Sequence, residues 1–361
     1  MPTEPNLIPS PQDAGTLYRT IHDAERGYKS LLALKAALNI GVFEHLEQAV
    51  PAAQLAQELN TDPAMTLALC RLLEEMDFLE KDPKGYRNTQ QTQTFLRRSS
   101  LLYQGNVVSC VRGGISIWEQ LEELLINGPG DGSNGHGFAG EFIHALASET
   151  LTGELQKTTD IICSVPEFEN VRTLLDLGGG HGLYSVALCQ QNAKLQATVF
   201  DLPGLQEAAE HYAQKFDGKR VNFQAGNQFT DPIGDGYDAI LLSYNPGGKT
   251  RALLDKIHSA LAPGGLFITK HAYYARGERT KSPLLDMEWS MRGFSGVNKG
   301  PNIYRFKNDM SHEEVLQYLT SHYEILRIAG VHEFAPNRLG KIGDRLDSQL
   351  IIGRKRQTPL E

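Results

Sequence analysis

Thr173-Leu174-Leu175-Asp176-Leu177-Gly178-Gly179-Gly180-His181-Gly182-Leu183 is the stretch that decides how this chain folds. An apolar run containing one acid, Asp176, reads as a buried strand. It ends in glycines at the alternate positions Gly178, Gly180 and Gly182, and a helical pattern continues from Leu183 to about Gln191. Strand, glycine-rich turn and helix form the phosphate- or nucleoside-binding corner of doubly wound α/β folds. The glycines let the backbone turn tightly and let a ligand lie against the main chain. A dinucleotide fingerprint, G-x-G-x-x-G, would need glycine at position 183, where Leu183 stands, so a nicotinamide dehydrogenase is disfavoured. The pattern present is D-x-G-x-G-x-G.

Downstream, Ala197-Thr198-Val199-Phe200 reads as the next strand, with Asp201 at its C-terminal end. A carboxylate about 20 residues past the first glycines is placed to accept bonds from ribose hydroxyls. Asp201 also suits the start of a helix ahead of Pro203. Val221–Gly226 is a third strand, followed at its ligand-facing end by Asn227 and Gln228. Asn227 reads either as an adenine contact or as a turn-forming asparagine. Tyr237–Leu242 is a fourth strand, and a helix from about Lys249 to Leu261 stops at Ala262-Pro263-Gly264-Gly265. Leu266–Thr269 is a fifth strand. Tyr323–Ile328 and Ser348–Ile352 read as a closing hairpin with a long linker. Strands alternating with helices predict an α/β domain over residues 166–361.

Upstream, residues 1 to about 13 read as a loose arm. Ala14 to about Glu47 reads as two packed helices broken near Asn39-Ile40-Gly41, and Pro51–Leu59 as a short helix. Asp62 as N-cap and Pro63 at the first helical position start another, running to about Met76. Phe78–Lys81 and Tyr86–Arg87-Asn88-Thr89 around Asp82–Gly85 read as a hairpin. Helices followed by a hairpin predict a winged helix over residues 14–100. Its third helix offers one arginine, Arg71, and the acids Glu74 and Glu75. A groove-reading helix needs donors for bases and cations for phosphates, so this apolar one is expected in a subunit interface. Residues 90 to about 165 read as helical, with an amphipathic Trp118–Leu125, an irregular Asn127–Gly137 and a helix over Ala139–Cys163. Residues 101–165 are taken as a connector contributing to the acceptor pocket.

The 361 residues are 40% hydrophobic and carry a net charge of -8, which argues against binding nucleic acid by general electrostatics. Cys70, Cys110, Cys163 and Cys189 lie far apart with no C-x-x-C, so neither bridges nor a metal site is expected. No signal-peptide pattern opens the sequence and no membrane-length apolar run occurs. A soluble cytoplasmic protein without nucleic-acid or membrane partners is expected.

Four quoted words carry a resemblance: Leu174–Gly182, Val199-Phe200-Asp201-Leu202-Pro203, Ala225-Gly226-Asn227-Gln228-Phe229, and Leu261–Gly265. The chain resembles the S-adenosylmethionine (SAM)-dependent O-methyltransferases of the plant caffeate and bacterial antibiotic type, over roughly residues 25 to 355. The resemblance implies a Rossmann-like SAM methyltransferase domain preceded by a mostly helical winged-helix dimerisation domain. It implies SAM as cofactor, a small-molecule acceptor, and a homodimer whose N-terminal helices help close the acceptor pocket. The cofactor-binding set it implies is Asp176, Gly178, Gly180, Asp201, Leu202, Asn227, Gln228 and Ser243. Where such enzymes usually carry Asp, Asn227 stands. Where they carry a Leu-His-Asp-Trp-like segment whose histidine is the general base, this chain has the shorter Tyr244-Asn245-Pro246-Gly247-Gly248-Lys249.

A hydroxyl acceptor must lose a proton, so a positioned base contributes to its methylation. A thioether sulfur has no proton to lose, and transfer from a sulfonium relies mostly on positioning. The missing base points away from simple phenol methylation, and together with the cations of Lys270–Lys307 it suits S-methylation of a thioether in a small carboxylic acid. This would be similar to the S-methyltransferase branch acting on 4-methylthio-2-hydroxybutyrate in dimethylsulfoniopropionate synthesis. The alternative is O- or C-methylation of an aromatic or enolic product with a relocated base, for which His271, Tyr273 and His144 are the candidates. The stretch Lys270–Lys307 is rich in cations and aromatics. Arg292 and Arg305 are the candidate fork for an acceptor carboxylate, beside Tyr273 and Trp289. The other cations are expected to form a solvated face.

Overall fold

The computed structural model describes residues 13–129, 140–292, 299–335 and 348–357. The N-terminal arm, most of the Asn127–Gly137 loop, Phe294 and the linker before the last strand lie outside the described residues. The chain divides into two compact units, Met1–Val108 and Ser109–Glu361.

In the first unit, α1 (Gly15–Ile40) stops at Gly41 and α2 (Val42–His45) follows, so the break falls where the sequence placed it. Next come α3 (Ala52–Leu59) and α4 (Pro63–Glu75). Asp62 caps α4, its Oδ1 accepting the Met65 N–H at 2.8 Å, which satisfies one of the first-turn donors. The strands β1 (Leu79–Asp82) and β2 (Gly85–Asn88) pair antiparallel, and α5 (Gln90–Phe95) follows them. Phe43, Leu46, Leu55, Leu73, Leu79 and Tyr86 are among the side chains that make one core. The Asn88 side chain ties the hairpin to α2 by donating to the Phe43 carbonyl at 2.7 Å.

The helical connector begins with α6 (Gly105–Trp118) and α7 (Leu121–Asn127). The helix expected over Ala139–Cys163 is two helices, α8 (Glu141–Thr150) and α9 (Glu154–Cys163). The break between them carries Gly153 at φ 119°, a conformation that favours glycine and ends a helix.

The α/β part follows as β3 (Thr173–Leu177), α10 (Leu183–Gln191), β4 (Gln196–Asp201), α11 (Gln206–Lys215), β5 (Val221–Ala225) and β6 (Tyr237–Ser243). It continues with α12 (Arg251–Ala260), β7 (Leu261–Ala272), α13 (Pro283–Met291), α14 (His312–His322), β8 (Tyr323–Gly330), α15 (Val331–Phe334) and β9 (Ser348–Lys355). The sheet order is β5-β4-β3-β6-β7-β9-β8. The strands from β5 to β7 run parallel, and β9 is antiparallel to both β7 and β8. β7 is longer than the sequence suggested. It begins at Leu261 and runs through Ala272, because β6 and β9 pair with it on both sides. Both its neighbours are in place, so Lys270 and His271 are carried into the interior. The order reverses at β3, with β4 on one side and β6 on the other, which is the switch point where open α/β sheets bind ligands.

Candidate active site

The crevice is built at the C-terminal ends of β3, β4, β5 and β6. Gly178, Gly180 and Gly182 adopt φ of 64°, 54° and 69°, so the loop needs glycine at the alternate positions. The Gly178 N–H donates to the Phe200 carbonyl at 2.7 Å. Asp201 at the tip of β4 accepts the Gly180 N–H on Oδ2 at 2.8 Å and the Leu202 N–H on Oδ1 at 2.7 Å. Burial raises its pKa, and the two N–H donors pull it back. Each oxygen keeps lone-pair capacity for a further donor.

Asp176 lies below this loop. It is 2% exposed, and Oδ2 accepts the Ser185 hydroxyl at 2.8 Å. A Cβ on Gly179 would come within 2.5 Å of its Cγ. Asp176 therefore supports the loop from beneath and does not face the crevice. Burial, with the Asp201 charge adding to it, raises its pKa to about 7.

At the β5 end, Asn227 makes a turn. Its Oδ1 accepts the Phe229 N–H at 2.9 Å, and its own N–H donates to Asp231 at 2.8 Å. Gln228 donates from Nε2 to the Pro246 carbonyl at 3.1 Å, while its buried Oε1 has no partner. Leu202, just after β4, and Phe229, next in the chain, are 46% and 47% exposed. Ser243 closes β6, half-buried.

His271 and Tyr273 emerge from the end of β7. His271 is 2% exposed. Burial, then the charges of Lys249 and Lys270, hold its pKa well below the usual range, so the ring is neutral. Its Nε2 has no hydrogen-bond partner, and the ring edge lies 2.8 Å from where a Cβ on residue 248 would stand. Tyr273 belongs to the main core. It stacks on His312 at 5.1 Å, and burial pushes its ionisation upward, which disqualifies it as a base at ordinary pH. His144 lies on α8, its Nδ1 3.0 Å from the Tyr212 hydroxyl. It therefore faces α11 rather than β7.

The expected acceptor residues are not assembled into a clamp. Arg292 pairs with Glu288 at 2.8 Å. Arg305 donates to the Glu278 carbonyl at 3.2 Å and lies over the Tyr274 ring. Trp289 packs with Leu285, Ile303 and Phe306, its indole N–H donating to the Gly300 carbonyl at 3.0 Å.

Three residues that the sequence reading left aside prove central. Lys270, expected on a solvated face, is fully buried. Its Nζ lies 2.6 Å from Glu154 of α9, donates to the Tyr184 hydroxyl and sits over the Tyr184 ring at 4.3 Å and the Tyr244 ring at 5.1 Å. Lys249 is 3% exposed and reaches Asp309 at 3.3 Å and the Tyr304 carbonyl at 2.7 Å. Asn245 is 6% exposed and donates to the carbonyls of Leu177 and Gly178. The available signal was the apolar strand continuing past Thr269, which gives a lysine there little access to water. Among the described residues, no cluster of His, Cys, Asp or Glu is placed to hold a metal ion, and no helix is long and apolar enough to cross a membrane.

A doubly wound sheet with a glycine loop at its switch point and an acid at the end of the next strand defines a nucleoside-binding α/β enzyme. Comparison with known proteins makes the class specific. Residues 138–292 match the model of the O-methyltransferase domain, and residues 24–98 that of the O-methyltransferase dimerisation domain. An uncharacterized protein of Methanocaldococcus jannaschii, MJ0086, is 32% identical over 306 residues, covering 83% of this chain and 82% of its own. The N,N-dimethyltransferase OxyT of Streptomyces rimosus is 25% identical over 265 residues, covering 69% and 77%. The crystal structure of human N-acetylserotonin methyltransferase in complex with SAM superposes with a TM-score of 0.65. It is 18% identical and covers 97% of this chain and 100% of its own. This chain belongs to the family of SAM-dependent O-methyltransferases.

Proposed function

We propose that this protein transfers the methyl group of SAM to a small-molecule acceptor, with SAM lying across the ends of β5, β4 and β3. The residues present fit that cofactor. The unpartnered Gln228 Oε1 accepts the adenine amino group, between the exposed Leu202 and Phe229. The free lone pairs of Asp201 accept the ribose hydroxyls, while its bonds to Gly180 and Leu202 hold it in place. The glycine loop admits the rest of the molecule against the main chain. SAM supplies an electrophilic methyl on a sulfonium; the protein's share is to position it and exclude water. The carrying observation is the Asp201–Gly180 bond, which joins the acid and the loop into one receptor. S-adenosylhomocysteine (SAH) should bind the protein, and Asp201→Ala should weaken it roughly ten- to a hundredfold, as for a charged hydrogen bond. Unchanged SAH affinity in that variant would remove the reading.

For the acceptor we propose the thioether sulfur of a small carboxylic acid, of the 4-methylthio-2-hydroxybutyrate kind. Support comes from Tyr244–Lys249. The side chains of Asn245 and Lys249 are both engaged by neighbouring backbone, and neither offers a proton acceptor, so an acceptor without a proton suits the site. An acceptor carboxylate would have to compete with Glu288 for Arg292. The second reading, O- or C-methylation, has one observation in its favour: His271 is neutral and its Nε2 is unpartnered. Turnover that survives His271→Ala favours the thioether, and loss of turnover with intact SAH binding favours the histidine.

A homodimer is proposed through the first unit. Leu17, Tyr18, Ile21, Tyr28 and Leu32 recur at helical spacing on α1 and are 43% to 61% exposed. A stripe of that kind is an interaction surface on a soluble domain.

A further inference from the structure

The segment that carries a histidine base in the resembling enzymes has a different task here. We infer that Asn245 is a positioning residue for the cofactor: it braces Gly178 and so shapes the part of the crevice that takes the amino-acid end of SAM. This rests on the reading that the crevice holds SAM.

Three observations carry it. First, the Asn245 amide is buried, and its Nδ2 donates to the carbonyls of Leu177 and Gly178, the latter at 3.4 Å. A Cβ on Gly178 would collide with that amide. The glycine at position 178 is therefore fixed by its neighbour as well as by its φ. Second, Asn245 is itself held. The preceding Tyr244 sits at φ 51°, uncommon for a bulky residue and a mark of a constrained site. Its N–H donates to the Lys270 carbonyl at 2.8 Å. The Asn245 carbonyl accepts the Gly248 N–H at 3.1 Å, and the Pro246 carbonyl accepts from Gln228 at 3.1 Å. The brace is thus anchored to β7 on one side and to the adenine end on the other.

Third, sheet order places Asn245 at one end of the ligand. With adenine at β5 and ribose at β4, the remaining part of the cofactor extends over β3 toward β6, where Gly178 and Asn245 meet. The nucleoside end has its own supports: Gly180 is bonded to Asp201 at 2.8 Å, and the Gln228 backbone carbonyl accepts from Lys256 at 2.9 Å. Loss of the Asn245 brace should loosen the amino-acid end and leave the nucleoside end in place. Preorganisation of this kind appears as affinity.

The test is calorimetric titration of the full chain with SAH and, separately, with adenosine, which lacks the amino-acid end. Asn245→Ala removes the brace. Asn245→Asp keeps its shape but turns the donor into an acceptor facing two carbonyls. Both variants should lose about tenfold in SAH affinity, one hydrogen-bonded brace's worth, and about twofold or less in adenosine affinity. Gly178→Ala should give the same selective loss, because it strikes the same contact from the other side. The Ala variant adds no buried charge, so it carries the test if the Asp variant, whose carboxylate would face two carbonyls, does not fold. Equal weakening of both ligands, or SAH affinity unchanged, overturns the inference. Failure of the unmodified protein to bind SAH is a different result. It removes the cofactor reading, and this inference with it.

Discussion

Asp176 and Asp201 are two carboxylates on one loop with opposite exposures to it. Asp201 points at the crevice with N–H donors on both oxygens, whereas Asp176 is sealed below with one hydroxyl. The consequence is a pH dependence. The folded-state pKa of Asp176 is raised from 3.8 to about 7, so between those values the folded protein binds more protons than the unfolded one. Stability contributed by the protonated form is complete below about pH 4, falls as pH rises toward 7, and is gone above it. Asp176→Asn keeps a partner for Ser185 without the charge. Urea unfolding should show this variant gaining on the unmodified protein as pH rises from 5 to 8, by an amount on the order of a few kcal/mol. An unchanged difference across that range would contradict the assignment. At this scale the sequence told part of the story. The glycine and acid spacing placed Gly178, Gly180 and Asp201 together. It could not tell that Asp176 faces inward, because a strand-end acid reads the same from either side. Nor could it show that Asn227 forms a turn through its Phe229 and Asp231 bonds.

Among the elements, β7 and α9 are joined by the pair Lys270–Glu154, both nearly without solvent contact. A buried pair contributes little against a hydrophobic replacement, yet removing one partner strands a charge. Lys270→Met should cost about 3–5 kcal/mol in denaturant unfolding, and adding Glu154→Gln should recover much of it. A single variant as stable as the unmodified protein would show that the pair is not buried in solution. The strand and helix order was legible because buried parallel strands separated by helices have a distinct rhythm. α10 appears over Leu183–Gln191 as expected. The misjudged parts depended on long-range partners. β7 runs to Ala272 only because β9, about 80 residues later in the chain, pairs with it. That extension turns Lys270 and His271 inward and defeats any reading of the stretch by composition. Arg292 and Trp289 differ, because their partners are near. Glu288 and the Gly300 carbonyl, local in the chain, satisfy them first.

For the whole molecule, two family domains and a matching fold fix the class, while the surface of the first unit speaks to assembly. Sedimentation should report a species of twice the 39.9 kDa chain. Placing acids at Leu17 and Ile21 together should shift it to the monomer, and a monomer before substitution would remove the proposed dimer. The class was legible from the chain because three of its four sequence words, Leu174–Gly182, Val199–Pro203 and Ala225–Phe229, sit at strand ends on the crevice, while Leu261–Gly265 marks the start of β7 at the opposite edge of the sheet, where Leu261 pairs with Tyr237. The acceptor was less so, since no local pattern predicts the long-range partners that decide which side chains of Lys270–Lys307 turn inward. The most direct measurement is therefore of the transfer itself. Purified protein with methyl-labelled SAM is offered 4-methylthio-2-hydroxybutyrate beside a panel of phenols. The account predicts label in a sulfonium product and none in an ether. Label in a phenol ether, or no transfer at all, would contradict it.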